Sequence, residues 1–177
     1  MVQQVIISPN RIIVETNKVS NTVENAKSEF NRAKNKMNHL LATTPDDRIN
    51  WSPSDSCRTP IHQVAHAALA ITGIQDFISG KPFPFASMED LDAFSRNAEK
   101  EYSTREQVLA LLEGNSSSYF KWLDSLTDDQ LSSVLETKMG TFPMSFAVTF
   151  PAQHIQTHCA QMEYIQTIYG DLNWHMG

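Results

Sequence analysis

Residues 19–40, VSNTVENAKSEFNRAKNKMNHL, decide the fold. Val19, Val23, Ala26, Phe30, Ala33, Met37 and Leu40 follow one another in alternating steps of four and three. That rhythm lines them up along one stripe of an α-helix, with Lys, Glu and Asn on the outside, and such a stripe is a bundle seam. Pro45 ends the helix, and Thr44-Pro45-Asp46-Asp47 opens a loop. Upstream, Val5-Ile6-Ile7 and Ile12-Ile13-Val14 are β-branched and flank Ser8-Pro9-Asn10. Residues 1–18 are therefore expected to form an N-terminal arm, as a short hairpin or an extended segment, with the helix starting near Val19.

Three further long helices can be read downstream. Thr59 and Pro60 supply a hydroxyl cap and a first-turn proline for a helix that runs to about Gly80, with Gly73 a weak point inside it. The stretch KPFPFASMEDLDAF reads as a loop that ends in a short helix from Ser87. The pattern Ser103-Thr-Arg-Glu106 is a capping box for the next long helix, with Val108, Leu111, Leu112, Tyr119, Trp122 and Leu126 as its buried stripe. A second box, Thr127-Asp-Asp-Gln130, opens a short helix to about Leu135. Residues 137–149 read as a brief extended excursion or an irregular lead-in. The last helix covers about Ala152–Tyr169 and closes at Gly170. The expectation is an all-α, four-helix bundle over residues 19–177 with one or two extra short helices.

Composition narrows the function classes. The 177 residues are 41% hydrophobic and 19% charged, as in an ordinary globular domain. A net charge of −6 with no Lys/Arg cluster argues against nucleic-acid binding. No apolar run reaches the roughly 18 residues a membrane span needs. Two cysteines, Cys57 and Cys159, without a CxxC motif point away from a disulfide framework and toward the cytoplasm.

Four of the six histidines fall in two pairs, His62/His66 and His154/His158, each four residues apart on a helix expected here. Each pair therefore shares one helical face. A histidine alone on such a face is ordinarily a hydrogen-bonded core or boundary residue. His39 and His175 take that reading, the latter as a mobile residue near the chain's last position. Two pairs are different: buried rings leave many nitrogens to satisfy, and a transition-metal ion would satisfy several of them at once. The HExxH motif is absent, since Ile155 and Gln156 follow His154. The Glu-x-x-His signature of di-iron bundles is absent too, because Gln63, Pro151 and Ile155 stand three residues before His66, His154 and His158. What remains is a neutral three- or four-histidine site with no carboxylate ligand. Such a site suits Zn²⁺ or Ni²⁺ and leaves a position where water or a thiol could ionise near neutral pH.

With these residues in place, the chain resembles the DinB/YfiT-like family of metalloenzymes. Trp51-Ser52-Pro53 matches the family's W-x-P loop, Thr59 its small hydroxyl helix start, and His66, seven positions on, its first ligand. His154-x-x-x-His158 followed by Gln161 matches its H-x-x-x-H-x-x-Q. The likeness spans about residues 20–170. It implies a divalent metal held by His66, His154 and His158. His62 is left as a fourth ligand, an outer residue or a surface residue. Gln161 would hydrogen-bond a metal-bound water or be a boundary glutamine, and Cys159, about 100° round the helix from its ligand neighbour, would be a packed thiol. The family's characterised enzymes imply thiol S-transferase, thiol-dependent isomerase or hydrolase chemistry on a small electrophile, with a low-molecular-weight thiol as partner. The arm would pack on the bundle or serve a homodimer contact. The rival reading is a non-catalytic stress or scaffold protein with a vestigial metal site.

Overall fold

The computed structural model describes residues 9–138 and 140–175, with side chains from residue 21 onward. Four long helices, α1 (Pro9–Thr43), α2 (Pro60–Ile78), α4 (Arg105–Asp124) and α7 (Phe150–Ile168), build the bundle. Shorter elements punctuate it: α3 (Met88–Glu99), α5 (Asp128–Ser132), the strands β1 (Val134–Thr137) and β2 (Gly140–Pro143), and α6 (Met144–Ala147).

From Val23 to Leu40 the seam behaves as its spacing requires; the side chain of Val19 lies outside the described ones. Val23, Ala26, Phe30, Ala33, Met37 and Leu40 are all buried in the central core. They meet Ile61, Val64, Ala68 and Ile71 from α2, Val108, Leu112 and Tyr119 from α4, and Ile155 and Met162 from α7. Each of the fully buried Leu, Ile, Val, Met and Phe side chains among them contributes about 1.5–3 kcal/mol relative to exposure.

The order of the helices around the bundle is what assembles the site. α2 packs beside both α4 and α7, and α1 packs beside α7. α1 and α4 close the ring through Phe30 against Tyr119 and Phe120, whose ring centroids both lie 5.2 Å away. So α1 and α2, consecutive in the chain, are bridged by α7 and α4. Cys159 meets the Ala33 carbonyl and Gln166 the Leu40 carbonyl, so α1 and α7 run parallel. α2 meets α7 through Gln63 with His158 and His66 with His154, so these two run antiparallel. The 16 or so residues joining α1 to α2 cross the end of the bundle. There Trp51 meets Tyr169 edge-on at 6.1 Å, with the Arg48 guanidinium over both rings.

Several expectations are corrected. α1 begins at Pro9, so Ile12-Ile13-Val14 are helical rather than part of a hairpin, and a start near Val19 is ten residues late. Proline is suited to a first helical turn, and branched residues lower helix propensity only slightly when the helix continues below them. The other half of the expected hairpin, Val5-Ile6-Ile7, lies outside the described residues. The box opening α4 is Thr104–Gln107, one residue later than Ser103–Glu106, because the Gln107 amide reaches back to the Thr104 backbone. The Thr59, Ser87 and Thr127 caps stand where expected. The α5 helix stops at Ser132, and Val134–Thr137 pairs antiparallel with Gly140–Pro143, Leu135 opposite Phe142. The apolar residues of this strand pair pack with Ile74, Phe77 and Phe150 against Ile78. Among the described residues three short helices accompany the bundle, one more than expected. No helix among them is long and apolar enough to cross a membrane.

Candidate metal centre

Thr59 starts α2 by accepting a hydrogen bond from the His62 backbone N–H at 3.2 Å, with Pro60 in the first turn. This start fixes the phase that turns Gln63 and His66 toward α7. Opposite them, His154 and His158 lie one turn apart on α7, and Gly170 ends that helix at a φ of +95°. The antiparallel contact brings the three imidazoles together. His66 lies 5.2 Å from His154 and 4.6 Å from His158 between ring centroids. One ligand nitrogen from each ring falls within 4.8 Å of the others.

Hydrogen bonds on the far sides of two rings fix which nitrogen faces the centre. The His66 Nδ1 is 2.7 Å from Oε1 of Glu99, a carboxylate that only accepts. Nδ1 therefore carries the proton, and the lone pair of the neutral ring sits on Nε2. The His158 Nδ1 likewise faces two amide oxygens, Gln63 Oε1 at 2.7 Å and Gln161 Oε1 at 2.8 Å. His158 Nε2 is thus bare, and it lies 3.1 Å from His154 Nε2. Two imidazole nitrogens bound at about 2.0–2.1 Å to one tetrahedral ion would lie about 3.3 Å apart. The His154–His158 pair therefore already has the spacing of two ligands on one divalent transition ion, and His66 supplies the third nitrogen of the set.

The electrostatics agree. Burial pushes the His154 pKa down to about 4, helped by the nearby His66. Burial, with His154 and His66 adding to it, pushes that of His158 down to about 3. Both rings are neutral at pH 7, the form a metal needs. Burial works to raise the Glu99 pKa, but hydrogen bonds from His66 and Arg58 outweigh it and hold the carboxyl below its usual value.

The other sequence candidates separate cleanly. His62 is outside the cluster. Its ring bonds to the Tyr102 backbone, and burial lowers its pKa. Gln161 acts on the back of His158 rather than pointing into the centre. Cys159 is a packed thiol that burial pushes up to about 12. His175 is held by Asp171 at 2.8 Å and lies 5.9 Å from the His39 ring, so it is not the loose terminal residue expected. Three participants escaped sequence reading. In the sequence Gln63 stands out only as the residue where another motif would have glutamate. Glu99 and Arg58 sit in polar stretches that carry no periodic signal, and only the fold reveals their burial.

The model of the DinB superfamily matches residues 29–162. Among solved structures, the mycothiol-dependent maleylpyruvate isomerase superposes with a TM-score of 0.62 at 15% identity, covering 79% of this chain and 60% of its own. This chain thus spans less than two thirds of that enzyme's length. YfiT from Bacillus subtilis, described as a probable metal-dependent hydrolase with an unusual four-helix bundle topology, matches with a TM-score of 0.56 at 16% identity. There the match covers 96% of this chain and 94% of the other. The sibling lethal factor precursor DfsB matches with a TM-score of 0.62 at 16% identity over 84% of this chain and 96% of its own. At these identities the likeness is one of fold. No curated protein matches the chain in sequence.

Proposed function

The chain belongs to the DinB superfamily, and from that premise we propose that it is a divalent-metal-dependent enzyme acting on a small electrophile by transferase or hydrolase chemistry. The observation that carries the reading is the convergence of His66, His154 and His158, with Nδ1 of His66 and of His158 occupied by acceptors behind the rings. These three residues would hold the ion through Nε2, and zinc or nickel suits an all-imidazole set. When bound, the ion supplies Lewis acidity that lowers the pKa of a thiol or water at its open position. The protein's own part is to keep His154 and His158 neutral by burial and to hold His66 and His158 from behind, through Glu99, Gln63 and Gln161. Mycothiol dependence in a structural relative supports a low-molecular-weight thiol as cosubstrate. Two free cysteines and the absence of a basic patch in the sequence support a cytoplasmic protein that leaves nucleic acid alone. Residues 1–18 remain our candidate for a homodimer contact, readable by sedimentation of a shortened chain.

Elemental analysis of protein produced with zinc and nickel supplied tests the reading. We expect close to one ion per chain in the wild type and background levels in His158→Ala. Background levels in both would sink it. If metal is present, assays pairing a panel of small thiols with an electrophile decide between a catalyst and a non-catalytic scaffold.

A further inference from the structure

Glu99 is the only buried residue of α3 and is 2% exposed. It arrives behind His66 from a helix that otherwise lies on the outside of the bundle. We propose that Glu99, held in place by Arg58, is the positioning residue of the metal centre: it sets which nitrogen of His66 faces the other two rings and how strongly that nitrogen donates. The inference rests on the metal-binding reading above and adds residues that the three-histidine set does not include.

Geometry carries the argument. The contacts behind His158 are neutral amides, whereas the contact behind His66 is an anion at 2.7 Å. A carboxylate accepting the distal N–H of a ligand histidine fixes its tautomer and makes the ring a better donor. Three neutral imidazoles leave the charge of a divalent ion uncompensated in a largely apolar bundle. A carboxylate one ring away is placed to offset part of it.

Arg58 explains why Glu99 stays there. Its Nε donates to Oε2 of Glu99 at 2.8 Å, so both carboxylate oxygens are engaged. The side chain therefore does not swing forward to become a ligand. Arg58 is braced in turn: its Nη2 donates to Asp92 at 3.2 Å, and Asp92 accepts from Arg96 at 2.8 Å. Arg96 donates onward to the Ser56 carbonyl at 3.1 Å, tying α3 to the loop before α2. A purely structural ion pair pinning α3 would need Arg58 and Glu99 but would have no reason to end on a ligand ring.

The test uses the full chain. Zinc affinity is measured by competition with a chromophoric chelator, and coordination by the visible absorption of the Co²⁺-loaded protein. Glu99→Gln keeps an acceptor but removes the charge; zinc affinity should fall about 10- to 100-fold and the Co²⁺ bands should shift. Arg58→Gln combined with Glu99→Gln leaves no stranded guanidinium, so it guards against a folding defect and should weaken zinc by at least about tenfold. A folded double variant whose affinity stays within about twofold of the wild type, with unchanged Co²⁺ bands, overturns the inference and leaves Glu99 a structural residue. A wild type that takes up neither zinc nor cobalt overturns the metal reading and this inference together, so the wild-type titration tells the two failures apart.

Discussion

His66 and His158 are both fixed from behind, but by opposite kinds of partner. On the α7 side, His158 is held by two amides supplied by the bundle's own helices, Gln63 and Gln161. On the α2 side, His66 is held by a carboxylate from α3, an added helix tied down by ion pairs rather than by apolar burial. The first arrangement comes with the core. The second has to be built on top of it, and it introduces charge where the core has none. In the proposed metal site, the ligand geometry would belong to the bundle and the electrostatic tuning to its periphery.

The largest effect that can break this picture is loss of a ligand. His158→Ala should remove bound metal altogether by elemental analysis while leaving the helical far-ultraviolet signal in place; retained metal would mean the ion sits elsewhere. Next comes the neutral side. In Gln63→Leu, Gln161 still accepts from His158, so zinc affinity should fall by less than the tenfold or more expected at Glu99. Stability should drop by about 1 kcal/mol in denaturant unfolding. If Gln63→Leu weakened zinc more than Glu99→Gln, the division of labour between core and periphery would be wrong.

Acidification gives a smaller and graded effect. His154 and His158 titrate far below the usual histidine value in the folded state, at about 4 and about 3. The unfolded chain therefore takes up protons first as pH falls below about 6.5, and stability declines with it. The metal-free protein should melt several degrees lower at pH 5 than at pH 7, the loss continuing toward pH 4. A flat melting temperature over that range would mean that the rings are solvated. The smallest effect concerns the thiols. Cys57 is exposed and Cys159 is buried, its thiol pushed up to about 12. A thiol-specific reagent should modify one cysteine in the native protein and two in denaturant; rapid native labelling of both would show that the α1–α7 seam opens.

Much of this architecture was legible in the sequence because its signals are local. The step pattern from Val23 to Leu40, the Thr59-Pro60 start and the His154-x-x-x-His158 spacing each depend on one helix alone. The three ligand candidates followed from helical phase and family resemblance, and the fold brings those three together. What stayed hidden depends on tertiary neighbours. Glu99 sits in RNAEKEY, which reads as solvated charge; its burial exists only once α3 lies across α2. The start of α1 was missed because branched residues around Pro9 fit a strand as well as a helix. The α4 cap slipped by one residue because Ser103 and Thr104 are both competent caps, and only the reach of Gln107 decides between them. The β1–β2 pair packs against Ile78 and Phe77, which lie more than fifty positions earlier in the chain.

The crossing of α1 to α2, with α7 inserted between them, has a consequence for the order of events during synthesis. Gln63 and the His158 it holds are separated by 95 positions, and α7 is made after the other three helices of the bundle. A nascent chain can pair α2 with α4 early, but it presents an incomplete ligand set until α7 docks. An ion therefore cannot template the first half of folding; it can bind tightly only to a finished bundle, which it then stabilises by mass action. Metal uptake in this fold would act as a late checkpoint, registering that α7 has docked against α2 in the correct register.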